Sequence, residues 1–266
     1  MTRLTSRRHP LVSTCRALAR SRAEPAGQML LDGLHLVSEA VAAGITLHTV
    51  AFTARARSTA EGARLAGLVA GQSTEVVEVS DSVMEAMSPV STPSGVVAIA
   101  DRPASSLARA LGSPPQLVVA AVDVQEPGNV GAMVRAAEAF GATGVVCCGA
   151  SADVFGWKAL RGSMGSALRL PVVSGVSAEV ALALMRGLGI QIVATVPAGG
   201  ARPESLDLRR PTALLFGGEG TGLTDDAVAA ADGRVSIPMR APVESLNVAV
   251  AVALMTCEAA RQRGSL

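Results

Sequence analysis

From residue 116 onward the chain keeps one rhythm: a short continuous apolar run, a loop, then a segment with helical spacing. Leu117-Val118-Val119-Ala120-Ala121-Val122 is the clearest run. A strand that is apolar on both faces must be covered on both faces, as parallel sheets are. The spacing predicts further strands at 144–148, 171–174, 190–196, 212–216 and 234–237, and helices at 130–140, 177–188, 223–231 and 245–262. Strands alternating with helices imply a parallel sheet layered between helices. In the last segment Val248, Val250 and Val252 alternate as in a strand. Its length and the run Glu258-Ala259-Ala260-Arg261 favour helix.

Residues 1–100 read as a smaller α/β unit. Leu30-Leu31-Asp32-Gly33 precedes a helical pattern, Leu34, Val37, Val41, closed by Gly44. Thr49–Phe52, Val76–Val79 and Val96–Ile99 read as strands, and 59–70 as an Ala-rich helix. Residues 101–115 hold Pro103, Ser105, Ser106, Gly112, Ser113, Pro114 and Pro115. They read as a linker, with a helical turn possible at 105–111. The expected division is therefore 1–100, a linker at 101–115, and a second domain at 116–266. There are no internal repeats.

Of 266 residues, 49% are hydrophobic and 17% charged, enough to build a core and too apolar for general disorder. A net charge of +1 excludes a polycation that grips nucleic acid everywhere. The charge is local instead: Arg3, Arg7, Arg8, Arg16, Arg20 and Arg22 precede the first acid, Glu24. Such a cluster can pair with phosphates. Four Phe, one Trp and no Tyr leave little for base stacking, so RNA would be read by shape, phosphate and ribose hydroxyl. Cys15, Cys147, Cys148 and Cys257 lack metal-ligand spacing, and Cys147-Cys148 reads as buried core. No metal and no disulfide framework are expected, and the cytoplasm is the expected compartment. The longest apolar stretch, 246–257, is too short to cross a bilayer.

Three loops fall where strands should give way to helices, the places where open parallel sheets bind ligands. The first runs from Asp123 through Pro127-Gly128 to Asn129 and Arg135, with Asn129 a plausible helix cap. The second, Phe216-Gly217-Gly218-Glu219-Gly220-Thr221-Gly222, lets backbone approach a ligand closely. Its G-x-G-x-G spacing is one residue short of the dinucleotide fingerprint, which disfavours an NAD-dependent oxidoreductase. The third is Ile237-Pro238-Met239, followed by Ser245-Leu246-Asn247 at the mouth of an apolar helix. Ser245 and Asn247 need polar partners if buried there, and Ser245 could be the cap.

Taken together these segments resemble the SpoU/TrmH family of RNA ribose methyltransferases, within the SPOUT superfamily. Asn129-x-Gly131-x-x-x-Arg135-x-Ala137, Phe216-Gly217-x-Glu219-x-x-Gly222-Leu223 and the 237–251 segment look like its three motifs in order. Leu31-Asp32-Gly33, Glu39-Ala40 and Ser94-Gly95-Val96-Val97-Ala98 resemble its small substrate-binding domain, with Asp32 where glutamate is commoner and Ser94 where glutamine is common. The resemblance implies an α/β fold: a C-terminal parallel-sheet domain with a deep trefoil knot, plus a small N-terminal RNA-binding domain. It implies a homodimer with active sites near the subunit interface. S-adenosylmethionine would bind against Thr195, Gly217, Gly218, Ile237, Met239 and Leu246.

The implied reaction moves a methyl group from a sulfonium to a ribose 2′-hydroxyl. Arg135 would stabilise the developing alkoxide, because guanidinium groups hold their proton and make poor bases. An RNA phosphate would then take the proton. Asn129 would orient Arg135 or the ribose, Glu219 would fix the glycine turn or contact RNA or cofactor, and Ser245 and Asn247 would shape the cofactor end. Large-subunit ribosomal RNA, resistance-type methylation included, is the first expected substrate and transfer RNA the second, with 197–205 and the N-terminal domain choosing between them. A homologue that binds RNA but has lost catalysis is the competing reading, disfavoured by Asn129, Arg135, Glu219 and Asn247.

Overall fold

The structure, a computed structural model, describes residues 2–20, 27–71 and 73–265. In chain order the first elements are β1 (Thr2–Leu4), α1 (Pro10–Arg20), β2 (Gln28–Asp32), α2 (Leu34–Ala42), β3 (Leu47–Thr53), α3 (Ala54–Ser58), α4 (Ala60–Ala70), β4 (Glu75–Val79), α5 (Asp81–Met87) and β5 (Val96–Asp101). Then come α6 (Leu107–Leu111), β6 (Leu117–Val122), α7 (Pro127–Ala139), β7 (Gly144–Cys148), α8 (Trp157–Ser163) and α9 (Ser166–Arg169). The chain ends with β8 (Val172–Val176), α10 (Ala178–Gly187), β9 (Gln191–Thr195), β10 (Thr212–Gly217), α11 (Asp225–Ala229), β11 (Gly233–Val235) and α12 (Val248–Gln262).

By contact the chain divides into two units, Met1–Ala104 with Phe155–Arg169, and Ser105–Val154 with Leu170–Leu266. This differs from the sequence division in two places. The linker expected at 101–115 contains α6, capped by Ser106, and its Ala110 and Leu111 are buried in the core of the second unit. Proline and serine at the ends of that segment mask an apolar face only five residues long. Second, 155–169 leaves the C-terminal sheet and packs within the first unit. There Arg161 reaches Asp32 at 3.9 Å, Arg169 pairs with Glu39, and His35 Nε2 meets the Met164 carbonyl at 3.3 Å. Charged residues interrupt the apolar spacing of 155–169, so no helix is legible there from periodicity.

The first unit is a five-stranded sheet ordered β1-β4-β3-β5-β2, with β5 antiparallel to both neighbours. Helices α1 and α5 were not expected from sequence. Val12 and Cys15 of α1 are buried against Val83, Met84 and Met87 of α5, under the sheet residues Leu30, Ala51 and Val97. Burial pushes the Cys15 thiol up to about 12, so it behaves as an apolar filler. The arginine cluster is spread out by this folding. Arg3 pairs with Glu78, Arg16 donates to the Ala86 carbonyl, and Arg22 lies outside the described residues.

The second unit holds six strands, all parallel, ordered β11-β9-β10-β6-β7-β8. β6 and β7 are buried at every position, as their apolar runs require. Cys147 and Cys148 sit in that layer, with burial raising their thiols to about 12 and about 11. Helix α12 packs on α7 and is held at its far end by Arg263. Its guanidinium donates to the carbonyls of Pro115, Gln116, Leu208 and Arg210, each at 2.8 Å.

Candidate active site

Strands β9, β10 and β11 end together: Leu215 pairs with Ala194, and Thr195 with Val235. Past the ends of β10 and β11 the chain makes two long excursions, 218–224 and 236–247, before helices resume. Between them lies a cavity of about 410 Å³, within the range of small-molecule sites. Thr195, Gly217, Gly218, Ile237, Met239 and Leu246 all line it, as do Glu219, Ser245 and Asn247. Most of the remaining wall is apolar: Val196, Pro197, Phe216, Val235, Val248 and Ala251. Phe216, Val248 and Ala251 fall inside the quoted motifs, and sequence reasoning named none of the six as a site residue.

Two glycines make the glycine turn possible by close approach. A Cβ on Gly217 would lie 2.1 Å from the Gly222 carbonyl carbon, and one on Gly218 would lie 2.2 Å from the Asp123 carbonyl oxygen. Gly222 N–H donates to the Gly218 carbonyl at 3.0 Å and closes the loop. Asp123 was not singled out as a site residue. It takes a left-handed conformation with φ 56°, and its Oδ1 accepts from Ala150 N–H at 2.7 Å. The aspartate thus anchors the start of the first loop against the next strand's exit.

A chain of three polar side chains crosses the mouth. Asn247 Oδ1 accepts from the N–H groups of Ala249 at 2.9 Å and Val250 at 3.4 Å, capping α12. Asn247 Nδ2 donates to Asn129 Oδ1 at 3.0 Å, and Asn129 Nδ2 donates to Glu219 Oε1 at 2.5 Å. Backbone N–H groups at one end and a carboxylate at the other allow only one orientation for both amides. The three loops are therefore tied by their own side chains.

Two expected caps are corrected here. Glu126, not Asn129, caps α7, because Pro127 enters the helix at its first position and leaves Asn129 inside the first turn. Ser245 is not the cap of α12, which begins three residues later than its hydroxyl, at Val248. Ser245 is exposed at the cavity wall.

Arg135 stands apart from the cavity wall of its own chain. Six residues at 100° each carry it about 120° round α7 from Asn129. It is exposed, with no hydrogen bond or ion pair to the described residues. No group of three or more His, Cys, Asp or Glu among the described residues could hold a metal ion, and no described helix is long and apolar enough to cross a membrane.

A parallel α/β domain with a glycine-cradled cavity at its strand ends is built to bind a small organic ligand. The particular family follows from comparison: residues 116–257 match the SpoU rRNA Methylase family, and the chain belongs to it. Residues 12–98 match the MRM3-like substrate binding domain. An uncharacterized tRNA/rRNA methyltransferase of Synechocystis is 35% identical over 264 residues, covering 98% of this chain and 94% of that one. A 23S rRNA (uridine(2479)-2′-O)-methyltransferase of Streptomyces viridochromogenes is 32% identical, covering 92% and 86%. The AdoMet-bound rRNA methyltransferase of Sinorhizobium meliloti superposes with a TM-score of 0.87 at 29% identity, covering 98% and 97%.

Proposed function

We propose that this protein methylates a ribose 2′-hydroxyl of 23S rRNA, using S-adenosylmethionine bound in the cavity at the ends of β9, β10 and β11. The observation that carries the reading is the cavity wall itself: six residues expected to cradle the donor line one space. Their chemistry fits the donor. Apolar walls suit an adenine ring, glycine backbone can approach its ribose, and Glu219 is the only ionisable side chain among the described residues of the wall. A carboxylate there favours a cationic ligand. When bound, S-adenosylmethionine supplies an electrophilic methyl group on sulfur.

The residues of this chain do the rest. Asn247 and Asn129 hold Glu219 and the glycine turn in place. Arg135 stabilises negative charge on the attacking ribose oxygen, while a phosphate of the RNA accepts the proton. Its place outside the wall of its own chain's cavity supports action at a second copy's cavity. Val243, Leu246, Val250 and Leu254 leave an exposed apolar stripe along the start of α12 and the segment before it, which supports burial in a homodimer. The excursion at 236–247 passes the glycine turn before α12 packs on α7, a path compatible with a trefoil knot. Acting on ribosomal RNA places the protein in the cytoplasm.

Arg135→Ala tests the reading. Methyl transfer to 23S rRNA should fall about 100-fold or more, with S-adenosylmethionine affinity within about twofold of wild type. Loss of cofactor binding by Arg135→Ala would remove the assigned role. Mapping of ribose methylation in ribosomal and transfer RNA, with and without the protein, identifies the nucleotide. No change in ribosomal RNA would sink the substrate assignment.

A further inference from the structure

We infer that one edge of the N-terminal sheet, carrying Arg7, Arg8, Arg55 and Arg57, is a phosphate-binding rim that holds the RNA backbone; this rests on the RNA methyltransferase reading above. The register places these residues together. Leu4 of β1, Val79 of β4 and Thr53 of β3 lie level across the sheet, so the chain leaves all three strands at the same edge. Arg7 and Arg8 follow β1 in the turn before α1, and Arg55 and Arg57 follow β3 in α3. Two strand spacings, about 10 Å, separate β1 from β3.

The turn is set by its own bonds: Arg8 N–H donates to Ser6 Oγ at 3.3 Å and Leu11 N–H to His9 Nδ1 at 3.2 Å. Arg7, Arg8 and Arg55 are exposed, and their guanidinium groups have no partner among the described residues. Two acids, Glu61 and Asp81, begin α4 and α5 at this edge, so the arginines keep the balance positive. The other half of the edge is already occupied within the unit. Arg161 binds Asp32 at the end of β2, and Arg169 binds Glu39 of α2. The half left open is the one that carries Arg7, Arg8 and Arg55. No Phe, Tyr or Trp belongs to the turn at 5–9 or to α3, and His9 is held by its bond from Leu11 N–H, so the contact is to phosphate and carries little sequence information.

The test compares the triple variant Arg7→Gln/Arg8→Gln/Arg55→Gln with Arg20→Gln, whose residue ends α1 at the opposite edge. Binding of a 23S rRNA transcript and of bulk tRNA is measured across a salt series. The triple variant should lower the log K against log salt slope by about 2 for both RNAs. It should raise the KM for the methylated RNA roughly tenfold, leaving kcat and S-adenosylmethionine affinity unchanged. The Arg→Lys triple should restore most of the slope, and Arg20→Gln should keep it. If the triple variant unfolds, Arg7→Gln and Arg55→Gln alone should each lower the slope by about 0.7–0.9. An unchanged slope, or an equal loss in Arg20→Gln, overturns the rim. If the wild-type protein methylates neither RNA, the functional reading fails while the slopes still judge the rim.

Discussion

The two units present the same kind of edge, where parallel strands hand over to helices, and the cavity of about 410 Å³ lies at the edge of the second. In the first unit β2 reaches α2 through Gly33 alone, β4 reaches α5 through Ser80 alone, and β3 runs directly into α3. Thr53 and Ser80 cap those helices with their side chains. In the second unit β10 and β11 continue into 218–224 and 236–247 before a helix begins. A handover of one residue leaves no backbone free to surround a ligand. Two long excursions, pinned by Asn247, Asn129 and Glu219, do. Topology supplies the location of a site, and connection length decides whether the location becomes a pocket or a charged rim.

The comparison breaks most visibly at Gly217. Gly217→Ala puts a Cβ into the Gly222 backbone, so the turn must open and the cavity with it. S-adenosylmethionine binding by calorimetry should weaken by about 100-fold or more, equivalent to roughly 3 kcal/mol. Gly67, in the first unit, has open space around the same position, and Gly67→Ala should leave binding unchanged. Next in size is Asn247→Ala. Loss of the α12 cap should cost about 1 kcal/mol in denaturant unfolding, and Asn129 should lose a partner at the same stroke. Cofactor affinity should fall as well, whereas Thr53→Ala, which removes a cap at the first unit's edge, should cost stability alone.

The smallest effect belongs to Asp32. Burial raises its carboxyl above the usual range, opposed by the Ser88 hydroxyl and by Arg161. The folded state then holds a proton more tightly than the unfolded chain. Stability from this group is fully present below the ordinary aspartate range and is lost as pH rises through the raised value. Asp32→Asn should flatten that loss in urea unfolding followed from pH 4 to pH 8. A pH dependence identical to wild type would show that Arg161 balances the burial.

Much of the architecture was legible before any coordinates. Apolar runs marked the strands of the second unit, most plainly the buried β6, β7, β9 and β10, because a strand covered on both faces has no polar side to hide its period. Helix α12 was legible with its start misplaced by three residues, since Ser245 and Asn247 are both good caps and only the path of the chain selects one. The short α3, α8 and α9 were not legible, because one or two turns of helix carry too little apolar period to distinguish from a loop.

The residue types of the three loops were enough to name a family, and with that resemblance nine residues that share one cavity wall. What the residues could not decide is where each unit draws its chain from, and which side chain meets which. Residues 155–169 belong by sequence position to the second unit and by packing to the first. Asn129, Glu219 and Asn247 are separated by 90 and 118 positions along the chain and meet within hydrogen-bonding distance. Local propensity acts over a few residues, whereas hydrogen-bond partners and domain membership are set by contacts between distant segments. Only the folded chain contains those contacts.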